Sequence, residues 1–304
     1  MLTAATQVAV LYVMVAAGYI SDKTGVFSEK TARSCVDLLH LVIGPCVMIN
    51  SFIAIERTDE NIKKFFISLS IALLTHIIAI IINLPFFRKK DDKDCVYKFS
   101  CIFGNVGFMA LPLASAVLGE EGVFYCTNGI IAYNIFLFTF GVKIMSKEKG
   151  GKFDWKKLIL NPGVISVLIG LPIFLLDLEI PYILTEPISK IGSLNSPLAM
   201  LVFGTYLSKT DLKTIFFDKK IYLVSVIKLL VVPVVCFAIY ALIGLRESLL
   251  VACIITASVP CANSTFMFSS KYGRDTAVAS KTVALVSFIS ILTMPVMIAL
   301  AQSI

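Results

Sequence analysis

Two short segments gather polar, glycine and proline residues inside otherwise apolar sequence. One is GNVGFMALPL at 104–113; the other is SVPCANSTFMFSSKYG at 258–273. A proline within a helix removes a backbone donor and clashes with the carbonyl four residues earlier. Gly104, Gly107, Asn105, Ser258, Asn263, Ser264 and Thr265 add backbone freedom and capping side chains around Pro112 and Pro260. Each segment is therefore expected to be an interrupted helix, broken at its proline. The N-terminus of a half-helix presents unpaired N–H groups and a partial positive charge, which suits an anion such as a carboxylate. This is binding chemistry without bond-making. The chain has no GxSxG or HExxH pattern and no paired membrane aspartates, so no catalytic residue is assigned and no enzyme is expected. Eight cysteines without a CxxC pair, and only two histidines, give no metal site and no cofactor.

The elements that hold these segments follow from composition. The 304 residues are 58% apolar and 15% charged, against roughly 25% charged in a typical soluble domain. That balance excludes a soluble enzyme, a nucleic-acid partner and a disordered chain. A span needs about 20 apolar residues. Ten stretches qualify, near 2–20, 34–55, 65–87, 96–118, 122–142, 158–176, 190–207, 221–244, 248–270 and 276–301. The first lacks a basic leader and reads as a retained helix. Placing the N-terminus outside puts 21 Lys and Arg residues on inner loops and 5 on outer ones. The positive-inside rule then gives an all-α, multi-pass plasma-membrane protein with both termini outside.

The charge-rich stretch 143–157 divides the spans five and five: a first repeat over 1–142, a cytoplasmic connector, and a second repeat over 158–304. An odd number of spans per half inverts one half relative to the other. Weak internal likenesses support the division. Pro45 and Pro197, Pro85 and Pro233, and the turns 119–122 and 272–275 recur about 150 residues apart. Discontinuous helices at matching places in two inverted halves point to a transport site.

The segments GNVGFMALPL, IAYNIFLFTFG at 131–141, NPGVISVLIGLP at 161–172, LNSPLAMLVFG at 194–204, KLLVVP at 228–233 and the ninth span ending KYGRD resemble the auxin efflux carrier family. The resemblance is to its shorter bacterial members, the malate or organic-anion permeases, and runs through most of the chain. It implies two inverted five-helix repeats, with proline-broken spans four and nine crossing each other. It further implies a scaffold of spans 1, 2, 6 and 7, a mobile domain of spans 3–5 and 8–10, elevator-type movement, small organic anions as substrates, and a homodimer. The large cytoplasmic loop of the plant carriers is absent. Thr265 stands where some carriers have a second proline in the ninth span.

Asn105 falls on the family's crossover asparagine; its amide can hold a carboxylate, cap a half-helix, or do both. Asn263 has the same two readings, with capping favoured. Gly107, Pro112, Ser258, Pro260 and Thr265 complete the candidate substrate site. Asn134 is read as an interhelical hydrogen-bonding residue or a second support for the crossover. Lys228, within the eighth span, either snorkels to the inner interface, pairs with an acid such as Asp37, or supplies charge that attracts an anion. His76 reads as a bonded core histidine or a proton relay. No Asp or Glu lies mid-span, which disfavours a cation substrate. Proton coupling, sodium coupling and uniport stay open, as does a receptor that has kept a transporter-like body.

Overall fold

Backbone groups facing lipid must be bonded within their own segment, and helices meet that demand over most of the described residues. The computed structural model describes residues 4–89, 91–147, 156, 159–208 and 218–304, and no strand occurs among them. In chain order the helices are α1 (Ala4–Lys23), α2 (29–54), α3 (Asp59–Asn83), α4 (Asp92–Ile102), α5 (106–118), α6 (120–145) and α7 (Pro162–Leu175). They continue with α8 (Tyr182–Ser193), α9 (Asn195–Ser208), α10 (219–242), α11 (Glu247–Ser258), α12 (Ser264–Lys271) and α13 (Thr276–Gln302). A helix or helix pair lies at each of the ten apolar stretches. Five helical stretches are long and apolar enough to cross a membrane: 30–54, 59–83, 106–145, 219–242 and 276–302. Residues 148–155 and 157 of the expected connector lie outside the described residues.

Polar residues in the links set where helices begin. Thr58, Asp91, Asn161, Asp218 and Asp275 each accept a hydrogen bond from a backbone N–H of the following first turn. Thr58 thus starts α3 six residues before the expected apolar stretch. Gly119, at φ 66°, makes the tight turn between α5 and α6, where a side chain would be strained. The seventh stretch is preceded by α8, a separate helix with no buried residue.

The prolines behave differently from the sequence expectation. Pro112 does not break its helix. A π-helical turn at 106–110 precedes it, and Leu111 N–H reaches back five residues to Val106 O. The same wide turn precedes Pro45, at 39–43, and Pro233, at 227–231. Widening the turn before the ring relieves the clash with the earlier carbonyl, so the helix continues.

Helix α1 packs along α9, and α2 packs along α7 and α8; α3 to α6 and α10 to α13 pack largely on one another. The α1–α9 contact is made by backbone. A Cβ on Gly18 would lie 2.2 Å from Leu201 O, and one on Gly204 would lie 2.0 Å from Val15 O. Small residues of this kind let membrane helices approach closely.

Candidate functional site

The interruption of the fourth stretch falls at 103–105, between α4 and α5; that of the ninth falls at 259–263, between α11 and α12. The two breaks meet. Gly104 and Cys261 form an isolated antiparallel bridge. Asn105 N–H donates to Pro260 O at 2.8 Å, and Ala262 N–H donates to Phe103 O at 3.0 Å. Backbone groups freed by one break are satisfied by the other, which is what a buried, non-helical segment requires.

Asn105 is the N-cap of α5, 92% shielded, and its Oδ1 accepts from Phe108 N–H at a long 3.4 Å. Its Nδ2 donates to no group among the described residues. Gly107 faces open space, with nothing within 4 Å of an added Cβ. Asn263 is half-buried at the start of α12, and its side chain makes no capping bond. Ser258 ends α11 and Thr265 lies in the first turn of α12; both hydroxyls are buried without a hydrogen-bond partner. Pro260 is within its break. Pro112 lies seven residues beyond Asn105, about 10 Å along α5, and is not brought to the meeting point.

Lys228 does not snorkel. It lies in the π-turn of α10 and is 3% exposed. Its Nζ stands 3.0 Å from the position of a Cβ on Gly104, so the amino group abuts the break itself. Asp37 is exposed on α2 and forms no ion pair with it. His76 is buried on α3; its Nδ1–H donates to Ala72 O at 2.9 Å, and its ring stacks on Phe136 at 5.0 Å. Phe103, in the first break, is 6.3 Å from the same ring. Asn134 turns away: its Nδ2 donates to Ile130 O at 2.9 Å and lies 3.7 Å from where a Cβ on Gly163 of α7 would be.

Some partners are not evident in the sequence. Tyr133 O–H donates to Ser264 Oγ at 2.6 Å, while its ring packs edge-on against Phe103, tying α6 to the first break and to the start of α12. The only sequence signal was its place beside Asn134 in an otherwise apolar run. Asp22, counted as a loop residue from sequence, is buried and accepts from Ser208 Oγ across the α1–α9 contact. Arg274 donates to Asp92 Oδ1 at 2.7 Å, Met145 O at 2.7 Å and Ser146 O at 3.0 Å, joining the turn after α12 to α4 and α6. That bond, followed by Lys147, holds the Asp92 carboxyl below the ordinary carboxylate range. Lys220 adds a 2.7 Å pair to Asp94.

Two concavities accompany these groups. A narrow apolar slit of about 10 Å³ separates α5 and α13 from α1 and α9, lined by Leu11, Tyr12, Met109, Leu113, Met200 and Met294. It is at the lower limit for holding one water, so the helices are closed over that face of α5. The other, an open depression of about 500 Å³, is lined by Asp91, Asp92, Lys93, Gly273, Arg274 and Asp275, three carboxylates against two cations, and so offers an anion no surplus of positive charge.

The profile of the membrane transport protein family matches residues 3–153 and 149–298. An uncharacterized transporter of Methanocaldococcus jannaschii is 24% identical over 298 residues, covering 94% of each chain. A protein of Rhizobium meliloti named for malonate transport is 24% identical over 265 residues, covering 83% of this chain and 82% of its own. An auxin efflux carrier component of Oryza sativa subsp. japonica is 31% identical over 134 residues, 42% of this chain and 22% of its own.

Proposed function

The chain belongs to the membrane transport protein family, that of the auxin efflux carriers, and on that premise we propose that it is a secondary carrier of small organic anions, carboxylates first. In this reading it crosses the plasma membrane ten times as two inverted five-helix repeats, 1–142 and 158–304, joined by the connector 143–157, with both termini outside. Helices α1, α2, α7 and α9 form the scaffold. Helices α3 to α6 and α10 to α13 carry the substrate across in an elevator movement.

The observation that carries the reading is the backbone pairing of the two breaks, Asn105 N–H to Pro260 O and Ala262 N–H to Phe103 O. It brings two half-helix N-termini, α5 and α12, to one buried place. Their partial positive charge favours an anion there, and so does the buried ammonium of Lys228 beside Gly104. The free Nδ2 of Asn105 and the open face of Gly107 supply a donor and room for a carboxylate. Malonate, named for one relative, is a natural first substrate to try.

The test is exchange of labelled malonate and a panel of mono- and dicarboxylates by purified protein in liposomes. Carboxylate flux is expected, and Asn105→Ala should lower it about tenfold or more while still reaching the membrane, because it removes both the cap and the donor. Absence of carboxylate flux from the folded wild-type protein would sink the reading. Wild-type flux in the variant would remove Asn105 from the site.

A further inference from the structure

We propose that Lys228 is a resident cation of the paired breaks, filling the place that a coupling metal ion would otherwise take, so that anion movement proceeds without sodium. The proposal deepens the carrier reading and rests on it.

Helices α4 and α11 end at Ile102 and Ser258, on the two sides of the bridge between Gly104 and Cys261. Each end carries carbonyls without intrahelical partners and a partial negative charge. Two such ends converging away from water call for a positive charge close by. Lys228 stands there: its Nζ is 3.0 Å from the Cβ position of Gly104, and Val259 Cγ2 of the other break is 2.8 Å from that same point. No carboxylate among the described residues pairs with Lys228. Its charge is therefore not cancelled by the protein's own acids. Ser258, at the end of α11, and Thr265, in the first turn of α12, keep buried hydroxyl oxygens without partners, which are acceptors suited to a cation.

The direction of approach matters as well. The π-turn holding Lys228 packs mainly against α3, α4, α11 and α13. The apolar slit facing α1 and α9 is lined from α5 and α13 and by no residue of α10. Lys228 thus comes from behind the breaks, within the proposed moving domain, and leaves the scaffold side to the substrate. A coupling ion binds and leaves in each cycle; a tethered ammonium does neither. It acts as a positioning residue, compensating the helix ends and setting a fixed positive field for the anion.

The experiment compares wild type, Lys228→Ala and Lys228→Met in liposomes, using labelled malonate in sodium chloride, N-methylglucamine chloride and ethylammonium chloride. Thermal unfolding of the same detergent-purified proteins is followed in the same salts. Wild-type flux should be equal with and without sodium. Lys228→Ala should lose about tenfold or more. Ethylammonium, which restores a small cation to the vacated space, should recover much of that flux and raise the Tm of Lys228→Ala. It should do neither for Lys228→Met, whose side chain fills the space, nor raise the Tm of wild type. A sodium requirement in wild type, wild-type flux in Lys228→Ala, or the absence of ethylammonium rescue would overturn the proposal. If wild type moves no carboxylate at all, the carrier reading fails by itself. The Tm response of Lys228→Ala still decides whether a cation belongs at this position.

Discussion

Two helix crossings in this molecule solve the same contact problem by opposite means. Where α1 meets α9, both helices stay whole and glycines let backbone touch backbone; the Cβ positions of Gly18 and Gly204 fall 2.2 and 2.0 Å from carbonyl oxygens. Where the fourth stretch meets the ninth, both helices open, and backbone groups pair across the gap at 2.8 and 3.0 Å. The first crossing has no slack, because the atoms in the way are main chain. The second is bounded by the ends of side chains, Val259 Cγ2 and Lys228 Nζ, which can shift. A crossing of the first kind fixes a frame; one of the second kind keeps polar groups available to a ligand.

That contrast can be broken by substitution. Gly204→Val is expected to have the largest effect, since its side chain would overlap Val15 O and Tyr19 N. A loss of roughly 3 kcal/mol or more should follow, visible as aggregation in size-exclusion profiles of the solubilised protein. Gly104→Ala should fold, at a cost of about 1–2 kcal/mol, yet lose carboxylate flux because the methyl displaces Lys228. If both variants aggregated equally, the distinction between the crossings would fail. Tyr133→Phe removes the hydroxyl bonded to Ser264 and should cost about 1 kcal/mol, read as a lower Tm, without touching the glycine crossing. The smallest effect concerns Asp92, outside the spans. Arg274 lowers its carboxyl from the ordinary value, so its contribution is complete at neutral pH. That contribution is lost only as pH falls through the lowered value. Asp92→Asn should therefore leave Tm slightly reduced at pH 7, with the difference from wild type vanishing in strong acid.

Much of this was legible in the residues. Gly104, Asn105, Ser258, Pro260 and Asn263 marked where helices open, because glycine, capping side chains and proline act locally. Family membership was legible too, through motifs spread along the chain. Pro112 misled: its effect depends on the turn before it, and no local rule announces a π-turn. Lys228 misled in another way. Depth in a span suggests snorkelling when the partner surface is unknown, and only the distant Gly104 explains its burial. Asn134 turned toward Gly163 of α7, a contact set by how two successive helices pack rather than by any local pattern. Tyr133 carries no local mark of its role, because its hydroxyl partner, Ser264, lies 131 residues away.

The wide turn at 227–231 also has an angular meaning. Each such turn holds one residue more than an α-turn would, so it offsets what comes before from what comes after by about 100° around the axis. Lys228 occupies the turn itself. Its bearing toward Gly104 is thus a matter of phase in the main chain as much as of rotamer. Removing a single residue from 227–231 would rephase α10 and carry the amine off its mark, though every side chain on the crossover stayed the same.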